Sequence, residues 1–353
     1  MRPRIALDGM GGDAAPGIVV DGAAMALGRH PDLRFVLCGD EAKLKPLLDR
    51  HPGLRAATEL RHTDSVVPAD MKPSVALRQG RQSSMRLAID AVKAGEADAA
   101  VSAGNTGAMM AMAMIVLKTL PGIDRPAIAS CLPSRRKPVV MLDLGANAEC
   151  TPENLFQFAV MGEVYARAVL GVAKPSVALL NVGTEEVKGD SVVRKAAALV
   201  RDSGLPIHYA GFVEGSAIAE GIVDVVVTDG FTGNIALKVT EGTASLFTTA
   251  LRESFAGSLR GRLGYLVGRP ALTALRARFD PRLYNGAMFL GLNGVVVKSH
   301  GGTDAVGFGA ALGVAVELLQ KGTNRRIIEE MGVAARPGAP DSDSAPDSDM
   351  ATG

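Results

Sequence analysis

The sequence contains no tryptophan, and aromatic residues make up only 4% of its 353 positions. Its three cysteines, Cys38, Cys131 and Cys150, are odd in number, far apart and without metal-type spacing. That argues against a disulfide framework or a thiolate metal site and suits a reducing cytosol. The net charge is only +1, so no global field favours nucleic acid and none is expected as a partner. No apolar run reaches the roughly 18 residues that a membrane span requires. The nearest, AMMAMAMIVL at 108–117, reads as a buried helix. The opening MRPRIALDGM has no long apolar signal core, so no export is expected. Catalytic signatures are missing as well. There is no GxxxxGK[ST] phosphate loop, no GxSxG elbow and no HExxH pair, and the first glycine loop lacks the GxGxxG order.

What is present is core material. Hydrophobic residues make up 47% of the chain, enough to bury a substantial interior. Short β-branched runs recur: RIALD (4–8), LRFVLCG (33–39), DAAVS (98–102), PAIASCL (126–132), PVVMLDL (138–144), SVALLNV (176–182), PIHYAG (206–211), DVVVTD (224–229) and GVVVKS (294–299). Helix-length segments separate most of them. Continuous rather than alternating apolar strands imply a sheet covered on both faces. The expectation is an α/β, three-layer, mostly parallel, Rossmann-like domain over 1–333. The segment from about 334 is rich in Pro, Ser and Asp and is expected to be a disordered tail.

In open α/β sheets ligands bind beyond the carboxyl ends of the strands. Six such ends carry glycine with small polar residues: Asp8-Gly-Met-Gly11-Gly12-Asp13, Ser102-Ala-Gly104-Asn105-Thr106-Gly107, Asp143-Leu-Gly-Ala-Asn147, the Asn181–Gly189 loop with Glu185 and Lys188, Asp229–Asn234, and Ser299-His300-Gly-Gly-Thr303. One such loop is weak, since glycine makes turns and Asn, Ser or Thr caps helices. Six are expected to ring one cleft with backbone N–H groups, many at helix N-termini, which favours an anion and phosphate above all. Asp8, Asp143 and Asp229 are expected to brace these loops, because bare carboxylates repel an anion. Lys188 is either a phosphate or oxyanion partner or a solvated lysine. His300 is the only histidine in a glycine-rich strand-end loop. Met109, Met110, Met112 and Met114 suit either a lipid groove or an ordinary core, and mostly the core.

The motifs DGMGGDAAPG, VSAGNTGA, LDLGANAE, NVGTEEVKG, FVEGSAIAEGIVDVVVTDGFTGNIALKVTEG and YNGAMFLGLNGVVVKSHGG, in this order over residues 4–322, resemble the bacterial phosphate acyltransferases of the PlsX type. Phe212 and Asn285 depart from that family's usual residues. The resemblance implies transfer of a long fatty acyl group from acyl carrier protein to inorganic phosphate, without cofactor or metal. It also implies an architecture like that of phosphate acetyltransferases and isocitrate dehydrogenases, and a homodimer. Lys188 and Asn234 are then the expected polar contacts of the reaction. Gly11, Gly12, Ser102, Gly104, Asn105, Thr106 and Gly107 would cradle phosphate, with Asp13, Asn147 and Glu185 in the same loops, and His300 is a possible proton donor.

Residues 251–282 hold seven arginines against Glu253 and Asp280, with leucines at helical spacing. Leu263, Leu266 and Leu275 with Arg262, Arg269, Arg276 and Arg278 therefore form an expected contact with anionic lipid or with an acidic carrier protein. A helix pair buried between two subunits is the plainer alternative. The expected place is the cytoplasm, at the inner face of the cell membrane, beside a membrane glycerol-phosphate acyltransferase that takes the product. Competing readings are an acyl-CoA:phosphate transferase, a non-catalytic lipid-phosphate sensor and, on fold kinship alone, an NAD-dependent dehydrogenase.

Overall fold

The structure, a computed structural model, describes residues 2–278 and 280–334. The expected tail beyond 334 and the side chains of Arg276 and Arg278 lie outside the described residues.

The chain runs β1 (Arg4–Asp8), α1 (Gly17–Arg29), β2 (Arg34–Gly39), α2 (Glu41–Leu48), α3 (Pro52–Ala56), β3 (Thr58–His62), α4 (Pro73–Gln79), α5 (Ser84–Lys93), β4 (Ala99–Ser102) and α6 (Thr106–Leu117). It continues with β5 (Ala127–Leu132), β6 (Val139–Leu142), α7 (Pro152–Val169), β7 (Ser176–Leu180), α8 (Ser191–Asp202), β8 (His208–Val213), α9 (Gly215–Glu220) and β9 (Val225–Val227). A long helical pair follows, α10 (Gly230–Ala256) and α11 (Leu259–Arg278), then β10 (Ala287–Leu290), β11 (Val295–Lys298), α12 (Ala305–Lys321) and α13 (Thr323–Ala334).

The strands form an eleven-stranded sheet in the order β3-β2-β1-β4-β11-β10-β5-β6-β9-β7-β8. Residues alternate along each strand, so each strand feeds two cores. Ile5, Leu7, Val101, Leu142 and Val227 pack with α1, α7, α8 and α12 on one face; Ala6, Ala100, Met141, Val226 and Val296 pack with α5, α6 and α9 on the other. This is the expected mostly parallel α/β architecture. It has one feature that the strand candidates do not carry: β10 is antiparallel to both β11 and β5, and β5 is antiparallel to β6. Every other pairing is parallel. The strands from β6 to β8 therefore point opposite to those from β1 to β4.

The reversal corrects the expectation of a single ring. The loops after β1, β4 and β11 share one edge of the sheet; those after β6, β7 and β9 share the other. Hydrogen bonds confirm the grouping. Asp13 N–H donates to Gly301 O at 3.0 Å and Ser299 N–H to Ser102 O at 2.8 Å within the first set. Gly230 N–H donates to Asn147 O at 2.7 Å and Asp143 N–H to Thr228 O at 3.0 Å within the second.

Candidate active site

The first set is organised around Asp8. Its side chain is buried and accepts Ser84 Oγ–H at 2.6 Å, Ser102 Oγ–H at 2.6 Å and Met10 N–H at 3.3 Å. Burial raises its pKa, and these hydrogen bonds oppose the rise. Asp8 thus braces the loops, as expected. Gly11 lies against it: a Cβ there would run into Asp8 Oδ2 and come within 2.8 Å of Gly104 N, so only glycine closes this loop. Asn105 also has a structural task. It caps α6 by accepting Ala108 N–H at 2.9 Å, and its amide donates to Ala69 O at 2.8 Å and Met71 O at 2.9 Å. His300 Nδ1 accepts Gly302 N–H at 3.2 Å, which leaves Nε2 to carry the proton of a neutral ring. Asn285, one of the two departures from the family's usual residues, accepts His300 N–H at 2.9 Å and donates to Ser299 Oγ at 2.7 Å.

Register places a further residue here. Ser102 pairs with Lys298, and Lys298 with Ala287. By alternation Asp8, Ser102 and Lys298 face the same side of the sheet. Lys298 is 8% exposed, and burial lowers its pKa to about 8. The sequence reading took it for the tail of a strand. The signal was there: a cation ending an all-valine run.

The second set is organised around Asp143. Its buried carboxylate accepts N–H bonds from Ile128 at 2.9 Å, Gly145 at 3.2 Å, Ala146 at 3.0 Å and Asn147 at 2.7 Å, and the Asn147 amide at 2.9 Å. Burial raises the pKa of Asp143, against the lowering effect of these bonds. Asp229 caps α10 by accepting Thr232 N–H at 2.8 Å. Gly230 and Gly233 let that helix settle onto the 143–147 loop, since a Cβ on Gly233 would meet Asp143 O. The exposed Asn234 stands over Gly145. Lys188 is half-exposed and pairs with Glu185 at 2.8 Å, the main reason its pKa rises. Asn181 donates to Lys188 O at 3.1 Å and holds that loop in shape. No described hydrogen bond or ion pair joins Lys188 to Asn234.

From the second set, α10 packs Ala236 and Leu237 on the face of the sheet that carries Lys298, and from Lys238 to Ser254 it is exposed. Two turns in, Lys238 comes close enough to lower the pKa of the Lys298 ammonium. Beside α10 lies a cleft of about 1160 Å³. Asn181, Gly189, Asp190, Thr228 and Asp229 line it, next to the Lys188 loop. Its walls are Ile218 and Ala219 from α9 and Ile235, Ala236 and Val239 from α10, with Leu132 and Leu180 from the sheet. The wall from Thr232 to Thr240 is about 12 Å long at 1.5 Å per residue. The methionines after the SAGNTG loop do not line it: Met109, Met110 and Met112 are core, and only Met114 is exposed.

Farther out, α10 and α11 pack as a pair, with Phe255 and Tyr265 edge to face at 5.8 Å. Leu246, Phe247, Leu259, Leu263, Leu266 and Leu275 are all exposed, Leu259 to 84%. Arg262 and Arg269 are exposed among them. Among the described residues, no helix is long and apolar enough to cross a membrane, and no cluster of three His, Cys, Asp or Glu side chains is placed to hold a metal.

A family described as fatty acid synthesis protein matches residues 3–326. The phosphate acyltransferase of Rhodospirillum centenum is 60% identical over 327 residues, covering 93% of this chain and 92% of that one. That of Paramagnetospirillum magneticum is 58% identical, covering 92% and 93%. Among solved structures, the EutD phosphotransacetylase from Staphylococcus aureus superposes with a TM-score of 0.57 at 19% identity, over 90% of this chain and 94% of that one. A phosphotransacetylase from Streptococcus pyogenes gives 0.56 at 20% identity, over 89% and 93%. At such identities the likeness speaks for the fold alone.

Proposed function

The chain belongs to the fatty acid synthesis protein family of PlsX-type phosphate acyltransferases and is an acyltransferase enzyme of lipid biosynthesis, and on that premise we propose that it moves a long fatty acyl group from acyl carrier protein to inorganic phosphate. The observation that supports the long-chain part of this reading is the apolar cleft beside the Lys188 loop. A short acyl group needs no such space; a long chain needs an apolar wall of this kind, because each buried methylene gains about 0.8 kcal/mol.

The chemistry asks for no covalent enzyme intermediate. A phosphate oxygen attacks the thioester carbonyl carbon, the C–S bond breaks, and the proton lost by phosphate ends on the departing thiolate. A thiol with a pKa near 8.5 leaves readily. The protein holds the reactants together and stabilises the oxyanion. Lys188 supplies positive charge and Asn234 an amide donor, while His300 Nε2–H, in the other loop set, donates a hydrogen bond without giving up its proton. The product is lipid-like and suits a membrane glycerol-phosphate acyltransferase as its consumer. The α10–α11 pair, with exposed leucines beside Arg262 and Arg269, suits the inner face of an anionic membrane, and the same arginines can receive an acidic carrier. The apolar flank of α10 suits a second copy of the chain.

The test is direct. Purified protein with phosphate and long-chain acyl carrier protein releases free thiol and forms acyl phosphate, and acetyl-CoA is used at least tenfold less well. Equal use of acetyl-CoA supports the short-chain reading; binding without thiol release supports the sensor reading. Filling the cleft with Ala219→Trp lowers kcat/KM for long chains about tenfold and leaves short ones within twofold. If both chain lengths respond alike, the chain lies elsewhere. For the membrane contact, Leu263→Glu should lose most co-sedimentation with anionic vesicles, and unchanged sedimentation removes this helix from the contact.

A further inference from the structure

We propose that Lys298, at the end of β11 in the middle of the sheet, holds with Lys238 of α10 the inorganic phosphate on which the reaction depends. The inference rests on the phosphate-acceptor reading above and gives that anion a place.

Lys298 is a charge in a nearly closed position, 8% exposed at the end of β11. An ammonium has three donors. One reaches the neighbouring Ser299 O. Among the described residues, no carboxylate stands within ion-pair distance of it; the salt bridges of the fold lie elsewhere. Asp8, the nearest acid in its row, spends its oxygens on Ser84, Ser102 and Met10. A buried cation without a direct counter-charge is costly, and a fold that keeps one usually has an anion to put there.

The charged groups around it are few. Asp8 from β1 and Asp13 from the loop before α1 favour the ammonium; Lys238 from α10 opposes it. Burial is the larger effect and sets the pKa near 8, so the amine is mostly protonated at neutral pH. Lys238 itself pairs with the exposed Glu241 at 2.8 Å. The two ammonium groups thus repel each other. A phosphate dianion between them cancels that repulsion and accepts several charge-assisted N–H bonds. Gly11 and Gly104 let these loops close tightly on Asp8 and Ser102, and the α6 N-terminus adds its positive end. Asn234 lies one turn before Lys238 on the same face of α10, which brings the proposed oxyanion donor beside the nucleophile. In this arrangement α10 unites two loop sets that the sheet itself holds apart.

The experiment varies phosphate and acyl donor independently. Lys298→Met raises KM for phosphate at least tenfold and leaves KM for the acyl donor within twofold. An unchanged phosphate KM, or an equal rise in both, overturns the proposal. In the native enzyme KM for phosphate rises between pH 8 and 9.5, because the amine loses its proton there, and in Lys298→Met this rise vanishes; a rise that persists undiminished counts against it. Should Lys298→Met not fold, Lys238→Gln on the exposed helix gives a several-fold rise in phosphate KM, and no rise overturns the proposal. Calorimetric titration with inorganic phosphate alone separates this inference from the reading on which it rests. A native protein that binds phosphate through Lys298 yet forms no acyl phosphate refutes only the latter.

Discussion

Replacing Lys188 with alanine is expected to lower kcat/KM by about 10²–10³-fold, the usual effect of deleting a group that stabilises an oxyanion. The fold should not register the change. Lys188 is half-exposed, and its pairing with Glu185 at 2.8 Å is a surface interaction, screened by solvent and of little weight in stability. The shape of its loop rests on a backbone contact, Asn181 to Lys188 O, and on Gly189 at φ +86. The side chain can therefore be removed without moving the backbone. Free-thiol release and thermal unfolding, measured on one preparation, separate the two effects. Near-normal turnover at an unchanged melting temperature would place Lys188 outside the reaction.

Asp143→Ala is expected to act the other way, through stability first. Five N–H groups converge on this carboxylate, four of them from the backbone. A buried donor left without a partner costs about 1–3 kcal/mol, so a loss of about 4 kcal/mol is expected even after the loop relaxes. Asp143→Asn should be nearly as harmful, because its NH2 group faces donors where an acceptor is needed. Urea denaturation measures both. Because the N-terminal turn of α10 sits on this loop, Asn234 loses its position as well. Activity should then fall further than the folded fraction does. If Asp143→Ala unfolds within about 1 kcal/mol of the native protein, the hydrogen-bond account of this loop is wrong.

The α/β class was readable because the β-branched runs RIALD, DVVVTD and GVVVKS are unambiguous strands. The strand reversal was not. It turns on the β5–β6 pairing: β10 is antiparallel to both of its neighbours, so β11 and β5 run the same way, and the flip comes where β6 lies antiparallel to β5. Both of those strands were recognised, but their apolar runs carry no mark of direction; the two strands not recognised were β10, whose AMFL is short and poor in β-branched residues, and β3, whose TELRH is mostly polar. At the candidate site, Asp8 and Asp143 were legible as braces, because acids at strand ends beside glycines have few other uses. Lys298 was overlooked because a strand pattern says nothing about which face a terminal residue presents. Only the pairing of Ser102 with Lys298 shows that. The apolar cleft was invisible for a similar reason: its walls come from α9 and α10, and α9, with sequence GSAIAE, carries no recognisable helical pattern.

The placement of β11 beside β4 bears on how the molecule is made. Val295 to Lys298 pair with Ala99 to Ser102, so the inner edge of the first half-sheet stays without its neighbour while nearly two hundred intervening residues leave the ribosome. During that interval the nascent chain exposes an apolar, unpaired strand, the kind of edge that recruits other chains. Completion of this enzyme is thus tied to the last third of its translation. A stalled or truncated product would be a substrate for chaperones and proteases, not a smaller working enzyme.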